Sequence, residues 1–344
     1  MILPRFEVLV PESIKEACAL LSKHNHEGAR ILAGGTDLLV DLRRPVVPPD
    51  IPRCSGCSKH RSGGVLSTID CGWWEEDSSP AADRALLTRV QDSVHHYPEF
   101  LISIHKIKGL RGISANNEGK LHVGATTTIT DIERSEIIRK RWTALAEGAD
   151  SLGSPLVRNR GTIGGNIANA RPAADMFIPS VALGGTLTLR SEHGTRKVPV
   201  KKFAVAPGKT VIEKGEMITG IEYPAPPEFS GSAYYKLANR KALDISAVGV
   251  GVWIALREPG GPIADVRVAL GAVGPTPIVA ESIKDELIGK MPDDEVIRKA
   301  GKAARNDARP IDDFRGSAWY RSMMVEILAV RLIRLALKRA GSKI

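Results

Sequence analysis

Aromatic side chains are scarce: Phe, Trp and Tyr together make up 5% of the 344 residues, and they do not alternate with the basic ones. Surfaces that hold single-stranded nucleic acid place aromatic platforms beside cations, so this composition argues against base stacking. Cysteine is rare too, with four in the chain, too few for a disulfide scaffold. No run comes near the ~18 consecutive apolar residues that a membrane-spanning helix needs. The opening Met1-Ile2-Leu3-Pro4-Arg5 has no apolar core behind a basic head, so the expectation is a cytoplasmic protein without a membrane span. The rest is ordinary. Hydrophobic residues at 43% and charged residues at 25% describe a core-forming globular chain. At ~100–200 residues per domain the length predicts two or three domains.

Positive charge is present but unevenly placed. Of the net +9, +8 falls between Arg298 and Ile344, where twelve Lys or Arg face four Asp or Glu. Met323, Met324, Ile327, Leu328, Val330, Leu332, Ile333, Leu335 and Leu337 recur there at helical spacing. Arg331, Arg334, Lys338 and Arg339 fill the gaps and the last turns, where cations complement the helix dipole. The segment reads first as a solvated helix face and second as a docking surface for an acidic protein partner. Nucleic acid comes a distant third.

The chain opens with an extended piece, Phe6 to Val10, and a helix begun by Pro11-Glu12-Ser13. Ile14, Ala17, Cys18, Leu20 and Leu21 form its apolar face, which makes Cys18 a small buried hydrophobe. A strand at 29–32 is followed by a helix-like stretch from Leu38 to Arg43, which the prolines at 45, 48 and 49 end. Between about 48 and 100 the composition shifts to three of the four cysteines, Trp73-Trp74 and the acidic run Glu75-Glu76-Asp77, as in an insertion. Strands are predicted at 101–104 and 121–125, and a helix over 130–150 capped by Thr130 or Asp131 with Glu133 close behind. Further strands are expected at 181–190, 196–200, 217–223, 245–256 and 263–274, followed by two C-terminal helices. Pro224-Ala225-Pro226-Pro227-Glu228 reads as a boundary, dividing the chain into 1–227 and 228–344.

Two glycine-rich loops carry the chemistry. Ala33-Gly34-Gly35-Thr36-Asp37-Leu38 and Gly161-Thr162-Ile163-Gly164-Gly165-Asn166-Ile167-Ala168-Asn169-Ala170 each join an apolar run to a small polar residue. Glycine permits positive φ and close approach of a ligand, so successive N–H groups can converge on an anion. Two such loops could clamp the two phosphates of a dinucleotide, with the hydroxyls of Thr36 and Thr162 helping. Each loop alone is equally well a tight turn. Neither matches the G-x-G-x-x-G fingerprint or a Walker A loop.

Together with Pro172-Ala173-Ala174-Asp175 and the 235–244 segment (Tyr235-Lys236-Leu237-Ala238-Asn239-Arg240-Lys241-Ala242-Leu243-Asp244), these motifs resemble the FAD-binding medium subunit of the molybdenum hydroxylase, or xanthine dehydrogenase, family. That family includes carbon monoxide dehydrogenase and 4-hydroxybenzoyl-CoA reductase. The resemblance covers nearly the whole chain outside 48–100. It implies an α+β fold: a vanillyl-alcohol-oxidase-type FAD domain of two subdomains over 1–227, then a small α+β domain of antiparallel sheet and helices over 228–344. It places Ala33, Gly34, Gly35, Thr36 and Asp37 around the FAD diphosphate, with Thr162, Gly164, Gly165 and Asn166 completing the clamp. Asp175 would meet the ribityl or flavin polar groups, Leu152 and Ile218 would line the cofactor, and Lys236 would approach the flavin ring. Read from residue type alone, Leu152 and Ile218 are plain core and Lys236 a surface lysine. No histidine stands where relatives of the wider fold attach FAD covalently, so dissociable FAD is expected.

The insertion carries Cys54-Ser55-Gly56-Cys57, His60 and Cys71. A C-x2-C pair gives two thiolates to one centre. Cys54, Cys57, His60 and Cys71 form a legitimate Cys3His zinc set. An iron–sulfur cluster is the alternative, and reduced cysteines without metal the third reading. 4-Hydroxybenzoyl-CoA reductase carries an extra [4Fe-4S] cluster in an insertion of the corresponding subunit, but after the second glycine motif, so residue roles do not transfer.

The resemblance implies no catalytic acid or base on this chain. The molybdenum cofactor would sit on a large partner subunit and two [2Fe-2S] clusters on a small one. FAD would pass electrons between those clusters and an external carrier, namely NAD, a quinone or ferredoxin. Two further readings stand beside it: a stand-alone FAD-dependent oxidoreductase of the same cofactor fold, and a basic nucleic-acid-binding module.

Overall fold

The computed structural model describes residues 5–25, 28–43, 97–240 and 242–342. The first layer is a three-stranded parallel sheet of β1 (Glu7–Leu9), β2 (Arg30–Leu32) and β3 (Phe100–Ser103), in the order β1-β3-β2. Helix α1 (Ile14–Lys23) links β1 to β2; Ser13 caps it by accepting from the Glu16 amide at 3.1 Å. Its apolar face buries Ala17, Cys18 and Leu21 against Ile102, Ile104 and Met217, as the i, i+3, i+4 spacing requires. The short α2 (Leu38–Asp41) follows β2. β2 and β3 pair in parallel, with Ile31 opposite Ile102.

The second layer is a five-stranded antiparallel sheet. It contains β4 (Ile113–Ala115), β5 (Leu121–Gly124), β6 (Thr186–Arg190), β7 (Thr195–Pro199) and, later in the chain, the strand Met217–Tyr223. Helices α3 (Ile129–Arg134), α4 (Glu136–Arg141), α5 (Thr143–Ser151), α6 (Pro155–Arg158), α7 (Ile163–Ala168) and α8 (Phe177–Ala182) connect β5 to β6 and pack on this sheet. The helix expected over 130–150 is thus three helices, broken at Ser135 (ψ 115°) and at Trp142 (φ −123°, ψ 50°). Trp142 is buried and donates from Nε1 to the Pro224 carbonyl at 3.2 Å, an anchor that a continuous helix would not supply. The cap is Thr128, whose hydroxyl and backbone amide form a capping box with Asp131. Residues 181–183, expected to be strand, finish α8 and its C-cap, and the chain turns at Gly184, φ 71°, before β6.

A small hairpin of β8 (Ala204–Ala206) and β9 (Lys209–Thr210) leads to β10 (Met217–Tyr223). The third layer is a four-stranded antiparallel sheet of β11 (Ser230–Leu237), β12 (Val248–Leu256), β13 (Ile263–Gly271) and β14 (Ile278–Val279). It is followed by α9 (Ile283–Leu287), α10 (Asp294–Asp307) and α11 (Ala318–Arg339). Every residue of β12 is buried because both faces of this sheet are covered, as near-continuous apolar strands require. Trp253 and Ala255 face the core of the second layer, while Val248, Val250, Val252 and Ile254 face α10 and α11. Strand β11 aligns the layers by its two-residue period. Its Ser232 accepts from the Ala144 amide at 3.1 Å, its Tyr234 amide donates to Glu147 at 2.7 Å, and Lys236 reaches the Ser151 carbonyl at 3.4 Å. Among the described residues no helix is long and apolar enough to cross a membrane.

Candidate functional site

The two glycine-bearing turns meet. β2 delivers the first at its carboxyl end, and Gly34 packs so closely on the Arg160–Gly161 backbone that a methyl group there would overlap the Arg160 carbonyl oxygen. Gly35 has φ 77°, a conformation that disfavours a side chain. The amides of Ala33, Gly34, Gly35 and Thr36 donate to no backbone carbonyl among the described residues. Unpaired amides on one tight turn are what an oxyanion binds.

The second turn works differently. Thr162 caps α7 and its hydroxyl accepts from the Gly165 amide at 3.1 Å. The Ile163 and Gly164 amides donate to the Thr127 and Ala125 carbonyls at 3.1 and 3.0 Å. These N–H groups are therefore already engaged, and the expectation of free donors from both loops is corrected. The second loop supplies a rigid wall. Arg158 anchors that wall: its Nε donates to Glu133 at 2.8 Å, and Nη1 donates to the carbonyls of Asp150 and Leu152.

Between the turns lies a cleft of about 780 Å³. Ala33, Gly34, Gly35, Thr36, Asp37, Leu152, Thr162, Gly164, Gly165, Asn166, Asp175 and Ile218 all line it. Leu152 and Ile218 are nearly buried and belong to the main core cluster as well, so the wall and the core are one surface there. Asn166 accepts from the Met176 amide at 3.0 Å, tying α7 to the segment that delivers Asp175. Lys236 is the exception among the expected residues, standing behind Asp175 rather than in the wall. Its Nζ donates to Asp175 Oδ2 at 2.7 Å, with both side chains 8% exposed.

Asp175 also accepts from the Tyr234 hydroxyl at 3.0 Å and from Ser246 at 3.3 Å. Burial pushes its carboxyl up, opposed by the charge and hydrogen bond of Lys236 and by the two hydroxyls. Burial, then the Asp175 charge, holds the Tyr234 phenol well above its ordinary value. The result is a compact charge pair at the Asp175 end of a cleft whose lining mixes apolar, backbone and charged groups.

Several cleft residues had no sequence signal of their own. Arg30 and Lys214 bring positive charge, and Glu213, Gly215 and Glu216 form a turn along one side. The Glu216 carboxylate holds that turn by accepting from the Glu213 amide at 2.8 Å and, through both oxygens, from Arg196 at 2.7 Å. Tyr234 was findable in principle, since it shares a strand face with Lys236. Cys54, Cys57, His60 and Cys71 lie outside the described residues. Among the described residues, no group of three or more His, Cys, Asp or Glu is placed to hold a metal.

A family model described as the FAD binding domain in molybdopterin dehydrogenase matches residues 84–226. A second, described as the CO dehydrogenase flavoprotein C-terminal domain, matches residues 233–336. The carbon monoxide dehydrogenase medium chain of Hydrogenophaga pseudoflava is 32% identical over 99% of this chain and 100% of its own length. The xanthine dehydrogenase FAD-binding subunit of Escherichia coli O157:H7 is 30% identical over 83% of this chain and 98% of its own. Among solved structures, carbon monoxide dehydrogenase from Hydrogenophaga pseudoflava superposes with a TM-score of 0.77 at 31% identity, covering 98% of this chain and 99% of that one. Quinoline 2-oxidoreductase from Pseudomonas putida 86 gives 0.77 at 26% identity, covering 99% and 100%.

Proposed function

This chain belongs to the FAD-binding medium subunits of the molybdenum hydroxylase family, and on that premise we propose that it passes electrons between [2Fe-2S] clusters of a small partner subunit and an external carrier. The molybdenum cofactor then belongs to a large partner subunit, and a cytoplasmic location goes with the proposal. The observation that carries it is the cleft itself, lined by Gly34–Thr36, whose amides donate to no backbone carbonyl among the described residues, and by the Thr162–Asn166 turn. A backbone cradle too tight for a Cβ at Gly34, a cationic Arg30 and Lys214, and apolar walls fit a dinucleotide carrying a diphosphate and a ring.

Bound FAD supplies the exchange between one- and two-electron steps; the protein supplies position and environment. The Ala33–Thr36 amides would donate to the diphosphate oxygens, and Arg30 and Lys214 would offset their charge. Leu152, Ile218 and Ala125 would exclude water from the ring. Asp175 is held by Lys236, Tyr234 and Ser246, so it orients polar groups at that end of the cleft rather than shuttling a proton. Asp37 and the Thr162, Gly164, Gly165 and Asn166 wall complete the proposed site.

The test is the purified chain. One FAD released per chain on denaturation is expected, and a chain that stays colourless after incubation with FAD would overturn the reading. The Cys54, Cys57, Cys71 and His60 set enters the proposal by its spacing alone. Iron, sulfide and zinc analysis of the same sample separates a cluster from zinc and from no metal.

A further inference from the structure

Helix α1 has the cofactor cleft at one end and a second cavity at the other. Leu21, in its last turn, and Asn25, just beyond, line the cleft. Ile14 and Lys15, in its first turn, line a separate cavity of about 700 Å³. The two linings share no residue, and the ten residues of α1 span ~15 Å between them.

Four cations converge on this cavity from three parts of the chain. Lys15 comes from α1, Lys106 and Lys108 from the segment after β3, and Arg190 from the end of β6. One carboxylate, Glu12, lines the cavity with them. None of the four cationic side chains makes an ion pair or hydrogen bond with another described residue. That sets them apart from surface lysines such as Lys120 and Lys299, which reach Glu118 at 2.6 Å and Glu295 at 2.7 Å. Like charges gathered without counter-charge work against the compact state, so an anion among them relieves a cost the fold otherwise carries.

Backbone donors add to the charge. The amides of Lys106, Lys108 and Gly109 donate to no backbone carbonyl among the described residues, and Gly109 reaches the cavity without a side chain in the way. The walls are held from the interior. Ile107 and Leu110 share one core cluster with Ala17 and Cys18 of α1, and Ile14 packs against it. The Cys18 thiol donates to the Arg190 carbonyl at 3.5 Å, joining α1 to β6. A preformed frame of this kind lowers the ordering cost of binding.

We propose that this cavity binds a small soluble anion carrying two or more phosphate groups, at a site separate from the cofactor cleft. Its volume lies within the ~300–1,000 Å³ of ordinary ligand pockets, more than a single phosphate fills. Arg190 offers the planar fork that grips phosphate oxygens in pairs, and the three lysines offer point charges around it. The site goes beyond the electron-transfer reading and does not depend on what fills the cleft.

The test uses the full chain saturated with FAD and titrated calorimetrically with inorganic pyrophosphate and, separately, with orthophosphate. One pyrophosphate per chain is expected, with a Kd below about 1 mM and at least about tenfold tighter than orthophosphate. The affinity should weaken as sodium chloride is raised. The double variant Lys106→Glu/Lys108→Glu should lose at least about tenfold in affinity, Arg190→Gln a smaller factor, and the control Lys201→Glu nothing. All four side chains are exposed, so melting temperatures without the anion should match the wild type. Wild-type affinity in the double variant would overturn the proposal, as would equal binding of the two anions. Displacement of pyrophosphate by excess FAD would overturn it too, by placing the anion in the cleft. A chain that takes up no FAD yet binds pyrophosphate with the same pattern across the variants would overturn the function proposed above and support this site, so the two failures are distinguishable.

Discussion

Gly34 and Asp175 show how single side chains, or the lack of one, set this site. Gly34→Ala places a methyl group on the Arg160 carbonyl and forces the turns apart. A stability loss of about 1–3 kcal/mol is expected from such overpacking, with a lower FAD-to-protein ratio, measured by thermal unfolding and flavin absorbance. Asp175→Asn leaves the Lys236 ammonium buried without its counter-charge. Breaking a buried pair from one side costs about 3–5 kcal/mol. The double variant Asp175→Asn/Lys236→Met should recover part of that loss in denaturant titration, since no unpaired charge remains.

Short elements hold the cleft walls, and their stability comes from caps and turns. The Thr162 hydroxyl is the N-cap of α7, so Thr162→Val should cost about 0.5–2 kcal/mol and weaken FAD retention. The turn along the other wall depends on Glu216. Its hydrogen bonds from Arg196 hold its carboxyl below the ordinary value of 4.5. A depressed carboxylate contributes stability that is fully present above 4.5 and is lost as pH falls below that value toward its folded pKa. Melting of the wild type should therefore steepen its decline below that pH, and Glu216→Gln should flatten it. The same reliance on local capping explains where element boundaries were misread. Residues 126–128 and 130 are all threonine, so several caps were equally plausible, and pairing with Asp131 selected Thr128. The short apolar run of α8 suits a buried strand as well as a buried helix, because periodicity does not separate the two.

The second and third layers pack as one body, since a single core cluster draws Leu145 and Phe177 together with Tyr234, Trp253 and Ala269, and Met217 of β10 ties the first layer's own cluster to them. Arg339 near the end of α11 reinforces the join by donating to the Ser232 carbonyl and to Glu147, at 2.6 Å each. One cooperative unfolding transition is expected for the described layers, with calorimetric and van't Hoff enthalpies in agreement. Saturating the chain with FAD at a hundred times its Kd should stabilise it by about 2.7 kcal/mol, read as a higher melting temperature. The basic C-terminal helix fits this picture. Arg334 pairs with Asp294 and Arg339 with Glu147, so part of the positive charge that suggested a polyanion site holds the fold together.

Composition, the paired glycine motifs and the alternating strands were readable from residue order, because turn chemistry and side-chain period are local properties. Family resemblance extended that reading to the cleft residues. Long-range packing settled the rest. Which amides stay free depends on the Ala125 and Thr127 carbonyls lying beside α7. Lys236 withdraws from the cleft because β11 sets it against Asp175 and Ser151. Each of these turns on neighbours distant in the chain, and only burial in three dimensions decides which polar group finds a partner.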